Sequence, residues 1–244
     1  MNPPIRALRG IHIELQGERV ALLPQRAIWW PRMKWLIVAD LHAGKSEVYR
    51  QHGVAVPDGV LQEMLRRLSQ MCEALAPERL VILGDLVHHA DGIDAAVRQA
   101  ISDCFSTLSR PALLVRGNHD TSVALPSTWP IDDAGDALEE PPFRFTHQPS
   151  VTRHCYTLAG HLHPTLSLAS TTDLLRLPCF HFGPRLGVLP AFSRFSRGVP
   201  MQVGLADRAY VIADGELIEI GEGDSGADRS SLPADEPGSK EPHA

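Results

Sequence analysis

Short apolar runs that stop at a polar residue organise the middle of the chain. Val81-Ile82-Leu83 ends at Gly84-Asp85, and Trp35-Leu36-Ile37-Val38-Ala39 ends at Asp40-Leu41-His42. Leu113-Leu114-Val115-Arg116 runs into Gly117-Asn118-His119-Asp120, and Tyr156-Thr157-Leu158-Ala159 into Gly160-His161-Leu162-His163. Phe143-Arg144-Phe145-Thr146 delivers His147. Apolar runs of this length, bounded by turn residues, predict buried strands, and residues just past strand C-termini in α/β sheets face the ligand crevice. Five strands are thus expected to bring Asp, Asn and His to one mouth, with Asp85 central.

Between these runs the period changes. Val60, Leu61, Met64, Leu65, Leu68 and Met71 are spaced as one helical face, so a helix is expected from Asp58, as N-cap, to Ala76, ended by Pro77. A second is expected over Ile93 to Leu108, with Val97, Ala100, Ile101, Cys104 and Phe105 inward. Strand alternating with helix predicts an α/β core. Alternation in Ile11–Leu15 and Val20–Leu23 about Gln16-Gly17-Glu18 predicts a hairpin, as does Tyr210–Ile220 about Asp214-Gly215. Residues 126–142, rich in Pro, Asp and Glu, read as a long loop, and the later segments 143–146, 156–159, 178–182, 208–213 and 216–220 as strands without helices between them. A second, mostly antiparallel sheet packed on the first, with helices outside, is expected.

Length and composition fit this picture: 244 residues, 43% hydrophobic, suffice for one large domain. We expect that domain over residues 1–220, followed by a disordered acidic tail at 221–244 that is rich in Gly, Ser and Pro. The tail carries −4 of the net charge of −6, leaving −2 for the rest, so overall charge is a weak argument against a nucleic-acid partner. Cys72, Cys104, Cys155 and Cys179 form no CxxC pair, which argues against a zinc knuckle or disulfide framework and for a reduced, cytoplasmic setting. No signal-peptide core and no run near the roughly 18 apolar residues of a membrane span is present.

Asp, Asn and imidazole without thiolate form a hard-to-borderline ligand set suited to Mn²⁺, Fe or Zn²⁺. Asp40, His42, Asp85, Asn118, His147, His161 and His163 are seven candidates, too many for one tetrahedral site and enough for two sites sharing a carboxylate. Asp40-x-His42, Gly84-Asp85, Gly117-Asn118-His119-Asp120, His147 and Gly160-His161-x-His163, in that order, resemble the calcineurin-like binuclear metallophosphoesterases. Asp40-Leu41-His42-Ala43-Gly44-Lys45, Gly84-Asp85-Leu86-Val87-His88-His89, Thr146-His147-Gln148-Pro149 and Leu189-Pro190-Ala191-Phe192 resemble one branch, the bacterial DNA ligase-associated enzymes, although Ala43 stands where a larger apolar residue is expected.

The resemblance implies a four-layer α/β/β/α sandwich of two mixed sheets flanked by helices, and two divalent ions, manganese foremost with iron or zinc as alternatives. One ion would be held by Asp40, His42, Asp85 and His163, the other by Asp85, Asn118, His147 and His161. A bridging hydroxide would attack phosphorus, His119 would protonate the leaving oxygen or stabilise its charge, and Asp120 would orient His119. The branch further implies an endonuclease on single-stranded DNA, working in repair beside a DNA ligase. A phosphatase or pyrophosphatase acting on a nucleotide or other small phosphoester is the alternative; a non-catalytic module is disfavoured because no ligand is missing. Lys45, His88, Arg116 and Arg185 are candidate substrate contacts, against a solvated lysine, an ordinary loop histidine and surface ion pairs. Arg176, Arg185, Arg194, Arg197 and Arg208, interleaved with Phe180, Phe182, Phe192 and Phe195, fit either a phosphate-and-base surface or two core strands with exposed neighbours.

Overall fold

The computed structural model describes residues 8–108, 110–169 and 174–220; the acidic tail lies outside them. The first sheet holds seven strands in chain order: β1 (Ile11–Leu15), β2 (Glu18–Leu23), β3 (Ala27–Trp30), β4 (Trp35–Val38), β5 (Arg79–Leu83), β6 (Ala112–Val115) and β7 (Ile131–Asp133). Strands β1 to β4 are antiparallel neighbours and β4 to β7 parallel ones. The expected first hairpin closes on Gln16 and Gly17, both at positive φ (53° and 77°), the backbone that a tight two-residue hairpin turn requires.

The second sheet draws on β8 (Ala137–Glu140), β9 (Phe143–Thr146), β10 (Tyr156–Ala159), β11 (Thr165–Ala169), β12 (Leu174–Phe182), β13 (Leu186–Val188), β14 (Arg208–Ala213) and β15 (Glu216–Ile220). Its order is β15-β14-β12-β13-β10-β9-β8, with β11 on β12, and only the pairs flanking β10 are parallel. Five of the described strands were not expected: β3, β11 and β13 went unseen, and β7 and β8 lie in the stretch read as loop. Ile131-Asp132-Asp133 and Leu186-Gly187-Val188 are three residues each and carry Asp or Gly, which strands disfavour, so neighbours rather than propensity hold them extended.

Three helices, α1 (Lys45–Gln51), α2 (Val60–Leu75) and α3 (Ala95–Ser106), complete the described secondary structure apart from two short 3-10 turns. Helix α3 is capped by the Asp94 side chain, which accepts from Val97 N at 2.8 Å. Helix α2 is not capped by Asp58 as expected. Its N-cap is Gly59 at φ 79°, and Asp58 is fully exposed, 3.6 Å from Arg50. No helix among the described residues is long and apolar enough to cross a membrane, and all four cysteines are free.

Alternation splits each central strand between two cores. Leu36, Val38, Leu80, Ile82, Ala112 and Leu114 pack toward the helices with Leu68, Met71, Ile101 and Phe105. Ile37, Val81, Leu83 and Val115 face the second sheet with Trp30, Phe143, Phe145, Leu158 and Phe182. Burial on both faces explains why these strands read as unbroken apolar runs. The two mixed sheets form the expected α/β sandwich with helices on the outer face of the first. Among the described residues the outer face of the second is covered not by a helix but by Leu166, Leu177, Met201 and Val203 around Cys179 and Val211.

The cap assignment predicts that Asp94→Ala costs about 1 kcal/mol in chemical denaturation. Asp58→Ala should stay within about 0.5 kcal/mol of the parent.

Candidate metal centre

Because β4, β5 and β6 are parallel, their exits put Asp40, Asp85 and Asn118 at one edge of the first sheet. The parallel pair β9 and β10 does the same for His147 and His161 from the second. Within each sheet a bond carries the pairing past the strands, Asp40 N donating to Gly84 O at 3.1 Å and Gly160 N to His147 O at 3.1 Å, and between the edges His161 N donates to Asp40 Oδ2 at 2.9 Å. The strand exits turn sharply. Asp40, His42, Asp85, His161 and His163 have φ between 49° and 70°, five of the eleven described non-glycine residues at positive φ. Left-handed backbone costs roughly 1–2 kcal/mol per residue and is best tolerated by Asp, Asn and His, so strain is concentrated where the polar groups converge.

Glycine makes the approach possible at two points. A Cβ on Gly84 (φ 75°) would lie 2.2 Å from the His147 ring, and one on Gly117 would lie 2.2 Å from Asp85 Oδ1 and from Asp85 N. Among the described residues three groups have ligand atoms within 4.8 Å of one another: Asp40 with His42 and His163, Asp85 with His147 and His161, and an all-histidine set of His42, His88 and His119 that lacks a carboxylate. Asn118 joins the second group, its Oδ1 2.8 Å from His147 Nε2.

The ring nitrogens reveal what the groups can hold. His147 Nδ1 faces Leu83 O at 3.1 Å and His163 Nδ1 faces Arg197 O at 2.8 Å, so each Nδ1 carries the proton and each Nε2 presents a lone pair. The Nε2 of His163 lies 3.2 Å from His42 Nε2 and 3.5 Å from Asp40 Oδ1. That of His147 lies 3.0 Å from His161 Nδ1 and 3.5 Å from Asp85 Oδ1. Lone pairs gathered this way repel unless a cation sits among them. Two atoms that each lie about 2.1 Å from one ion, at right or tetrahedral angles, are about 3.0–3.4 Å apart, close to the separations found. Asp85 spans the first two groups, with Oδ1 toward His147 and Oδ2 3.8 Å from His42 Nε2. The donor set therefore fits two divalent ions.

Electrostatics agree. Burial pushes His42 down to about 2, with Lys45 and His163 adding to the effect, and it lowers His161, so these rings offer lone pairs at neutral pH. Burial also pulls His163 down, but the hydrogen bond and charge of Asp40, with the Arg197 carbonyl, outweigh it and raise His163 above the ordinary imidazole value. Burial raises Asp85 against the opposing pull of His147, and Asp40's charge adds to the rise.

His119 stands over Asp85, its Nε2 3.9 Å from Oδ2 and its backbone N donating to Oδ1 at 3.0 Å. Its ring is not oriented by Asp120, contrary to expectation. His119 Nδ1 donates to the His88 carbonyl at 2.7 Å, while the Asp120 carboxylate accepts from Gly117 N at 2.9 Å and Val87 N at 3.2 Å. Asp120, pushed up to about 6 by burial, thus ties the Asn118-His119 loop to the loop after Asp85.

The candidate substrate contacts separate. The His88 ring packs 4.7 Å from His119, at the centre, and burial pushes it down to about 4. Lys45, half-buried, is lowered by burial and held up by the charges of Asp85 and Asp40. Arg116 is paired with Asp133 on the surface, beside a groove that Asn118 and His147 also line. Arg185 is not brought to the centre. Its carbonyl accepts from Thr157 N, at the entry end of β10, while His161 follows the exit, four residues or about 13 Å of extended chain away. Phe180, Phe182 and Phe192 are core residues, and the Arg208 guanidinium donates to Glu14 O at 3.1 Å. Sequence reasoning missed Arg26, remote in sequence from every motif, and Tyr49, which lies on the helix opened by Lys45 but belongs to no motif.

The calcineurin-like phosphoesterase family model matches residues 33–198. The crystal structure of the nuclease MPE from Pseudomonas putida superposes with a TM-score of 0.76 at 31% identity, covering 86% of this chain and all of that one. Yfce, a phosphoesterase from E. coli, aligns at 14% identity over 76% of this chain and 97% of that one, with a TM-score of 0.37. No curated protein matches. With a family match across more than half its length, and a solved relative covering most of the remainder, the chain belongs to the calcineurin-like phosphoesterases and is a metal-dependent phosphoesterase.

Proposed function

We propose that the chain is a two-metal phosphodiesterase that cuts single-stranded DNA internally during DNA repair, in the cytoplasm and in a pathway shared with a DNA ligase. Its catalytic unit is residues 1–220, with 221–244 as an appended tail. The observation that carries the reading is the pair of Asp and His groups spanned by Asp85, with His119 beside them. The similarity to a nuclease supports nucleic acid as substrate.

Asp40, His42, Asp85 and His163 would hold one ion, and Asp85, Asn118, His147 and His161 the other. Two divalent ions, manganese foremost, supply Lewis-acid charge and a nucleophile derived from water at neutral pH. His119 acts from Nε2, since its Nδ1 is committed to the His88 carbonyl. From there it gives a proton to the departing oxygen or stabilises the charge developing on it. His88, neutral and packed on His119, restricts that ring, and Lys45 offers its ammonium to the scissile phosphate. Asp120 positions the Asn118-His119 loop through its two backbone bonds rather than touching the reacting atoms.

Metal-stripped protein should linearise circular single-stranded DNA only when Mn²⁺ is restored. Survival of the circle while a chromogenic phosphodiester is hydrolysed would turn the reading to small phosphoesters. Asp85→Asn should abolish both activities, and His119→Gln should lower the rate about 10²–10⁴-fold with metal content unchanged. In Gly117→Ala the new Cβ displaces Asp85, and titration calorimetry should show Mn²⁺ affinity weakened by about tenfold or more.

A further inference from the structure

A groove of about 390 Å³ opens at His163 and is lined by Arg26, Arg176, Arg194 and Arg197, with no carboxylate among the described residues of its wall. Arg194 lies 3.4 Å from Glu63. Arg176 and Arg197 are exposed and have no acidic partner among the described residues. Glu63, beside Arg194 and acting on Arg26, offsets only part of this cluster, so the cleft carries an excess of guanidinium that a polyanion would offset.

One wall comes from the segment 193–198, which leads out of a buried crossing between the sheets. Phe192 N donates to Ala39 O at 2.7 Å and Ser193 N to Asp40 O at 3.2 Å. Arg26 holds the carbonyls of Ala191 and Ser193 at 3.0 and 2.7 Å, and Arg67 lies over the Phe192 ring at 4.3 Å. So anchored, the segment borders the metal centre on two flanks. On one, the Arg197 carbonyl accepts from His163 Nδ1. On the other, half-buried Phe195 meets the Tyr49 ring at 5.5 Å, and Tyr49, 38% exposed, lies 6.4 Å from His88.

We propose that residues 193–198 guide a single-stranded nucleic acid past the metals, Arg176, Arg194 and Arg197 holding phosphates that adjoin the scissile one, while Tyr49 and Phe195 stack an unpaired base. Arg26 forms the floor of the phosphate track and fixes the segment's position. Guanidinium groups neutralise backbone phosphates without reading sequence, and aromatic faces accept any base, so the track selects an unpaired polymer rather than a sequence. A duplex presents no free base face to Tyr49, and a small phosphoester reaches neither feature. The inference rests on the reading of the chain as a nuclease.

The test uses Mn²⁺-loaded full-length protein, a labelled single-stranded 20-mer, its duplex, and a chromogenic phosphodiester. Arg176→Gln/Arg197→Gln should raise KM for the 20-mer about tenfold with little change in kcat, and lower the salt dependence of KM by roughly one to one and a half in log–log slope. Arg176→Lys/Arg197→Lys should restore the slope, which a merely folding-related loss would not. Tyr49→Leu should raise KM for the single strand about fivefold, more than it changes turnover of the duplex or of the diester. Wild-type KM and slope in the double Gln variant, or a Tyr49→Leu effect equal on duplex and single strand, overturns the track while diester hydrolysis keeps the two-metal reading intact. A wild-type enzyme that hydrolyses neither DNA nor the diester overturns the nuclease reading itself.

Discussion

Two carboxylates closed off from water set the terms for the rest of this molecule. Asp40 and Asp85 are 0% and 2% exposed, and a buried carboxylate is costly unless donors or cations compensate it. Backbone donors supply part of that compensation: His161 N approaches Asp40 Oδ2 at 2.9 Å, and His119 N approaches Asp85 Oδ1 at 3.0 Å. The imidazoles around them contribute mostly lone pairs, because Leu83 O and Arg197 O take the Nδ1 protons of His147 and His163. What remains is a demand for positive charge at two adjacent points, and the architecture can be understood as the means of keeping that demand in place. Parallel strands from two sheets deliver the groups to one edge, apolar cores on both faces hold the strands rigid, and glycines remove the Cβ atoms that would block the approach.

Much of this was legible along the chain because the central strands are buried on both faces. Val81-Ile82-Leu83 and Leu113-Leu114-Val115 read as unbroken apolar runs for that reason, and the polar residue after each run marks where the sheet ends. The helices were legible by period, but the cap of α2 was not, since Asp58 carries a capping side chain and only the backbone geometry of Gly59 moves the cap to that residue. The short strands β7 and β13 are held by partners distant in sequence, so no local pattern announces them. The same limit applies at the site. Adjacency suggested that Asp120 serves His119, whereas its carboxylate turns back to Gly117 and across to Val87, a loop tie that sequence does not encode locally.

The contrast between the centre and its surroundings follows from burial. Asp40, His42, Asp85 and His147 are enclosed, the first three on strained backbone, and are suited to fixed geometry, while His119, Tyr49, Arg176 and Arg197 face solvent and can meet a substrate of variable shape. Of the arginines and phenylalanines interleaved over 174–208, few are available: three phenylalanines are core, Arg208 is engaged by the first hairpin, and Arg185 lies at the entry end of β10. Those left, with Arg26 and Tyr49 from elsewhere in the chain, cluster around residues 193–198. Chemistry and recognition are thus separate layers, joined where the Arg197 carbonyl orients His163.

The central claim is that the two groups spanned by Asp85 hold two ions side by side. Anomalous scattering from crystals grown with Mn²⁺ tests it most directly. The account predicts two peaks about 3.5–4 Å apart, one within bonding distance of Asp40, His42 and His163, the other of Asn118, His147 and His161, with Asp85 touching both. A single peak, or one seated instead among His42, His88 and His119, would contradict it.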